Sequence, residues 1–124
     1  MFSLAVRDSF AAAHRLESYK GKCEALHGHN FTVEAIFEGE RLDGDGMLVD
    51  FATLKGYLKE VLSELDHSYL NEIPFFRERT SSSEYIAIFI YQRIAELFHE
   101  QNASLAEVRV WESANSYAAY RMSP

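Results

Sequence analysis

The sequence predicts an α+β fold: a four-stranded antiparallel sheet with two helices on one face. Three observations carry this. Residues 2–13 and 27–37 alternate in polarity with a period of two, as strands do. Two later stretches, beginning at Asp50 and Ser81, place apolar residues at spacings of three and four, as amphipathic helices do. Residues 106–112 and 117–122 alternate again around a short polar turn. The order strand, strand, helix, helix, strand, strand suits hairpins covered by a helical layer. A sheet of only four strands leaves two open edges that invite a second copy, so an oligomer is expected.

In the first strand Phe2, Leu4 and Val6 alternate with Ser3, Ala5 and Arg7. It runs into Phe10-Ala-Ala-Ala-His14, where the alanines are too few to nucleate a helix and leave room beside His14. Residues 15–26 form a polar loop. The second strand, Phe31, Val33, Ala35 and Phe37 against Thr32, Glu34 and Ile36, is taken to begin at His27. Asp43-Gly-Asp-Gly46 resembles a fragment of a calcium loop but lacks the later ligands, so a turn is expected.

Asp50 is a plausible N-cap. Phe51, Leu54, Leu58, Val61, Leu62 and Leu65 then mark a helix of about four turns at ~3.6 residues per turn, ending at Asp66-His67. Residues 70–79 are expected to be connecting loop. Ser81-Ser-Ser-Glu84 has the spacing of a capping box, with Ser81 as the cap. Ile86, Phe89, Ile90, Ile94, Leu97 and Phe98 mark the second helical stripe, and His99 near its end reads as structural. Val108 and Val110 alternate with Glu107, Arg109 and Trp111, and Ser113-Ala-Asn-Ser116 is the turn into the final strand.

At 124 residues the chain is expected to be one domain, spanning 1–124. A net charge of −7 argues against a general nucleic-acid or membrane-surface binder. One cysteine makes no internal disulfide, which fits a reducing compartment. No basic n-region and no apolar run of ~20 residues is present, so a cytoplasmic protein is expected.

The chemistry concentrates in Cys23-Glu-Ala-Leu-His27-Gly-His29-Asn30-Phe31. On a strand, His27 and His29 project from one face, and Gly28 between them lets another group approach. A lone His-x-His pair arises more often by chance than as a site, but His14 as a candidate third ligand, Cys23 four residues upstream and the later Asp66-His67 pair point to a three-histidine zinc site, whose open fourth position would make it catalytic rather than structural. Cys23 is either a buried packing residue or a thiolate whose pKa falls near Lys22 and a metal. Asp66-His67 is either a helix C-cap or a proton relay. Arg15, Lys20 and Lys22 read equally as solvated cations or as a locally basic loop for an anionic substrate.

Together the motifs Phe10-Ala-Ala-Ala-His14, Cys23-x-x-x-His27-Gly-His29-Asn30-Phe31, Gly46-Met-Leu-Val-Asp50-Phe51, Leu65-Asp-His67, Leu70-Asn71 and Val110-Trp-Glu112 resemble the 6-pyruvoyltetrahydropterin synthase superfamily. Within it, the chain is most similar to the bacterial 6-carboxytetrahydropterin synthase branch of queuosine biosynthesis. The resemblance implies the T-fold, whose sheets join into oligomeric barrels, trimeric or hexameric, with active sites between subunits. It implies Zn²⁺ bound by His14, His27 and His29, Cys23 as the catalytic thiol, and His67 and Asp66 as its relay partners. It implies Glu112 as the carboxylate anchoring a pterin, with Ser82 and Glu84 also at the substrate. Without the family, Glu112 would read as an exposed strand residue.

The implied substrate is 7,8-dihydroneopterin triphosphate, converted to 6-carboxy-5,6,7,8-tetrahydropterin with release of acetaldehyde and triphosphate. The alternatives are the 6-pyruvoyl product of biopterin synthesis, or a non-catalytic zinc- or pterin-binding module. Three residues between Cys23 and His27 resemble the queuosine branch, because the biopterin enzymes have a longer gap. The chain departs from the family's Pro-Thr-x-Glu before the second helix: Ser82 stands for the Thr, Glu84 matches, and the Pro is missing. Trp111-Glu112-Ser113 replaces the commoner x-Glu-Thr.

Overall fold

Period-two alternation in both N-terminal stretches produces a long antiparallel ladder. In the computed structural model, which describes residues 1–16 and 26–122, β1 (Phe2–His14) and β2 (His27–Gly39) pair from Phe2 opposite Gly39 to His14 opposite His27. The chain continues through α1 (Phe51–Leu62), β3 (Ser68–Tyr69), a 3₁₀ turn at Leu70–Glu72 and α2 (Pro74–Arg77). It ends with α3 (Ser83–Leu97), β4 (Ser104–Ser113) and β5 (Ser116–Tyr120). The sheet order is β3-β1-β2-β4-β5.

The sheet therefore has five strands rather than four. β3 runs parallel to β1, with Ala12 opposite Ser68 and Ala13 opposite Tyr69. A two-residue strand is too short to show an alternation, so it escapes a sequence pattern. It covers only the end of that edge of β1, and on the side of β1 away from β2 no described strand lies along Phe2–Phe10. α2 is also new, within the stretch expected to be loop. Pro74 opens it at a position where a missing N–H costs nothing.

The inner face follows from parity. Val6, Phe10 and Ala12 of β1, Phe31, Val33, Ala35 and Phe37 of β2, and Val108 and Val110 of β4 are buried beneath the helices. Leu54, Leu58 and Val61 of α1 and Ile86, Ile90 and Ile94 of α3 close over them. Burying each such side chain fully stabilises by about 1.5–3 kcal/mol. The other face carries a ladder of ion pairs, Arg7–Glu34–Arg109–Glu107–Arg121.

Asp50 caps α1 by accepting from the Ala52 N–H. The helix ends at Leu62, short of Leu65, and Leu65 and Asp66 both donate to the Leu62 carbonyl in a turn. Phe51, counted on the apolar stripe, is exposed. The cap of α3 is Ser82, whose hydroxyl accepts from the Tyr85 N–H, so Ser81 is not the cap and no reciprocal box forms. Three consecutive serines offer the same chemistry, and burial of Ser81 decides among them.

Asp43 accepts from the N–H groups of Asp45 and Met47, the side-chain-closed turn expected of Asp-Gly-Asp-Gly. At Gly39 a Cβ would lie 2.2 Å from the Asn102 carbonyl oxygen, so β2 needs glycine there. His99 hydrogen-bonds to Tyr57 and Leu97, in keeping with its structural reading. Among the described residues no helix is long and apolar enough to cross a membrane.

Candidate functional site

The β1–β2 register builds one side of the site. His14 lies directly opposite His27, and His29 lies opposite Ala12, so all three positions belong to the inner face. They stand just beyond the core, where Phe31 forms the floor: its ring centroid is 5.2 Å from that of His14 and 5.0 Å from that of His29. The His14 and His29 rings are 6.0 Å apart. The side chain of His27 and the whole of Cys23, Lys20 and Lys22 lie outside the described residues. Among the described residues no three His, Cys, Asp or Glu side chains are grouped closely enough to hold a metal ion.

The imidazoles of His14 and His29 each bond to a backbone carbonyl. His14, 1% exposed, donates from Nδ1 to the Ser81 carbonyl at 3.0 Å. A carbonyl only accepts, so the proton is on Nδ1 and the lone pair on Nε2. His29 donates from Nε2 to the Glu112 carbonyl at 2.6 Å, which places its lone pair on Nδ1. Carbonyl-oriented imidazoles with defined lone pairs are the donor chemistry that a zinc ion takes from histidine. The two described imidazoles, His14 and His29, fit such an ion as donors.

Asp66 and His67 form a second unit at the edge of β1. The Asp66 carboxylate accepts from the Ala11 N–H at 2.9 Å through one oxygen and from His67 Nδ1 at 2.9 Å through the other. The Ala11 bond, more than the neighbouring imidazole, holds its carboxyl below the usual carboxylate range. The His67 N–H in turn donates to the Ala11 carbonyl at 2.6 Å. This double tie holds His67 at φ 57°, a left-handed conformation that costs a non-glycine residue roughly 1–2 kcal/mol. Its side chain is 83% exposed. His67 and His29 line one open cavity of about 460 Å³ with Gly28 and Ala13. A Cβ at Gly28 would meet nothing within 4 Å.

Glu112 ends β4. Its carboxylate accepts from the Ser83 hydroxyl at 2.8 Å. Both residues line a cavity of about 290 Å³ with Ser82, Glu84, Tyr117 and Leu16. That cavity opens at the N-terminus of α3, where the helix dipole favours anions. The structure thus gathers Glu112, Ser82 and Glu84, connects Glu112 to His29 through its carbonyl, and puts His67 in a cavity with His29. Ser83 and Asn71 are contributors that the sequence patterns did not single out by role, and Ser81 contributes through its carbonyl rather than as the expected cap. The serine run and the Leu70-Asn71 motif were the available signals.

Comparison with known proteins agrees with this picture. The family model described as 6-pyruvoyl tetrahydropterin synthase matches residues 3–123. A 6-carboxy-5,6,7,8-tetrahydropterin synthase of Synechocystis sp. is 36% identical, covering 94% of this chain and 92% of its own. A 6-pyruvoyl tetrahydrobiopterin synthase of Dictyostelium discoideum is 34% identical, covering 93% and 92%. The solved structure of Caenorhabditis elegans 6-pyruvoyl tetrahydropterin synthase superposes with a TM-score of 0.85 at 31% identity, covering 98% of this chain and 96% of that one.

Proposed function

The chain belongs to the 6-pyruvoyl tetrahydropterin synthase family, and from that premise we propose that it converts 7,8-dihydroneopterin triphosphate to 6-carboxy-5,6,7,8-tetrahydropterin, releasing acetaldehyde and triphosphate. The observation that carries the proposal is the meeting of Glu112 with His29 at the open end of the inner face. A carboxylate suited to a pterin edge and an imidazole suited to a metal then act on two ends of one small molecule.

His14, His27 and His29 would hold zinc. When bound, zinc supplies Lewis acidity that polarises a substrate oxygen and acidifies the neighbouring C–H. Glu112 accepts N–H bonds from the 2-amino pyrimidinone edge, while Ser83 donates to one of its carboxylate oxygens. Ser82 and Glu84 border the same cavity. Cys23 moves the proton at the substrate side chain. Asp66 fixes the Nδ1–H of His67, so proton exchange with the thiol uses Nε2. Arg15, Lys20 and Lys22 favour the triphosphate.

The three-residue gap between Cys23 and His27 favours the 6-carboxy product. The 34% identity to the Dictyostelium protein favours a second reading, in which the side chain is kept as a 6-pyruvoyl group. We also propose that copies join along the open part of β1 and along β5 into a homo-oligomer, a trimer or hexamer, with sites between subunits. Incubation of the purified protein with dihydroneopterin triphosphate, followed by mass analysis of the pterin and an assay for acetaldehyde, tests the reaction. A 6-carboxy product with stoichiometric acetaldehyde is expected. A 6-pyruvoyl product without acetaldehyde would establish the second reading, and unaltered substrate would leave a binding module.

A further inference from the structure

We infer that Asn71, with the Ser81 hydroxyl, is a positioning residue for the His14 imidazole. The inference rests on the reading of His14 as a metal ligand and goes beyond it to residues that carry none of the metal's bonds. The Asn71 side chain pairs with both backbone polar groups of Arg15. Its Oδ1 accepts from the Arg15 N–H at 2.9 Å, and its Nδ2 donates to the Arg15 carbonyl at 2.8 Å. Arg15 is the residue after His14, so Asn71 fixes the backbone on which the imidazole hangs.

The same amide reaches the other side of the ring. The Ser81 hydroxyl lies 3.2 Å from Asn71 Oδ1 and 3.3 Å from the Arg15 carbonyl. Ser81 is fully buried, and its own carbonyl takes the Nδ1–H of His14. The circuit is closed: His14 to Ser81, Ser81 to Asn71, Asn71 to Arg15, and Arg15 to His14 through the chain. It ties the end of β1 to the 3₁₀ turn and to the approach to α3. Its consequence is chemical, because a carbonyl held against Nδ1 keeps the lone pair on Nε2.

Only an amide satisfies the arrangement. Arg15 presents one donor and one acceptor, and an amide answers both. A carboxylate of the same shape would replace the 2.8 Å donor with an oxygen set against the Arg15 carbonyl, a repulsive contact in place of a hydrogen bond. An asparagine that merely closed a turn would have no bearing on the ring's tautomer.

The test compares wild type with Asn71→Asp, Asn71→Ala, Ser81→Ala and His14→Ala. Zinc affinity is read by competition with a chromogenic chelator. The His14 tautomer is read in the zinc-free protein from ¹⁵N ring shifts, and folding from circular dichroism. Both Asn71 variants are expected to fold and to bind zinc about 10–100-fold more weakly, with the Nδ1–H signature of His14 replaced by a mixture of tautomers. Ser81→Ala should move both readouts in the same direction by less. Wild-type affinity with an unchanged His14 signature in Asn71→Asp would overturn the inference. If the Asn71 variants fail to fold, wild-type readouts in Ser81→Ala overturn it. Undiminished zinc affinity in His14→Ala would instead defeat the metal-ligand reading, and the tautomer signature would still judge the positioning role.

Discussion

The backbone carbonyl of Glu112 accepts a 2.6 Å hydrogen bond from Nε2 of His29, while the Glu112 side chain turns to Ser83. One residue thus orients a candidate metal ligand with its main chain and faces the candidate pterin cavity with its side chain. Glu112→Ala removes only the second contact. It should retain zinc at the wild-type level and bind a pterin such as dihydroneopterin on the order of 10²-fold more weakly, the loss of charge-assisted bonds worth about 1.5–3 kcal/mol each. Metal content and calorimetric pterin binding, measured on one preparation, check it. Loss of zinc in this variant would mean that the side chain also supports His29.

Cys23→Ala separates proton transfer from binding. Turnover should fall by about 10²–10⁴, the usual contribution of a general acid–base group, with zinc and pterin affinity unchanged. Steady-state kinetics alongside metal analysis give the answer. Wild-type turnover would assign the proton to another group.

The acid sensitivity of the β1 edge should trace to Asp66. Its folded-state pKa is lowered, chiefly by the Ala11 N–H. The stabilisation is therefore present above the ordinary aspartate value of 3.8 and is lost as the pH falls through the lowered value. Asp66→Asn should be less stable than wild type at pH 7, and the gap should narrow toward pH 2. Thermal melts across that range measure it, and a gap independent of pH would show that the carboxylate charge contributes nothing.

Gly39→Ala should destabilise the fold away from the site. The added Cβ would meet the Asn102 carbonyl at 2.2 Å and Leu48 at 2.6 Å, an overpacking that typically costs 1–3 kcal/mol. Urea unfolding should show a lower midpoint, with zinc affinity unchanged in the folded protein.

Much of the fold is written in local pattern. Alternation marked both N-terminal strands, and the same arithmetic put His27 and His29 on one face. The spacing of Leu54, Leu58, Val61 and of Ile86, Ile90, Ile94 announced the helices, all six of which are buried. Asp50 capped as its chemistry suggested. These features depend on neighbours a few residues away, where chain geometry leaves few choices.

Which residues share a face was therefore legible in the chain: the period of two in β1 and β2 and of ~3.6 in the helices follows from backbone geometry alone. What those faces meet depends on packing between distant segments. Ser81, rather than serving as the helix cap, accepts the His14 Nδ1–H hydrogen bond at its carbonyl across 67 positions. Asn71 binds Arg15 across 56, and Asp66 ties to Ala11 across 55. The two-residue β3 exists because that tie brings Ser68 and Tyr69 beside Ala12 and Ala13. Such ties form wherever packing brings a donor to an acceptor, obligatorily where the group is buried as Ser81 and His14 are, and no local periodicity encodes which distant group that will be.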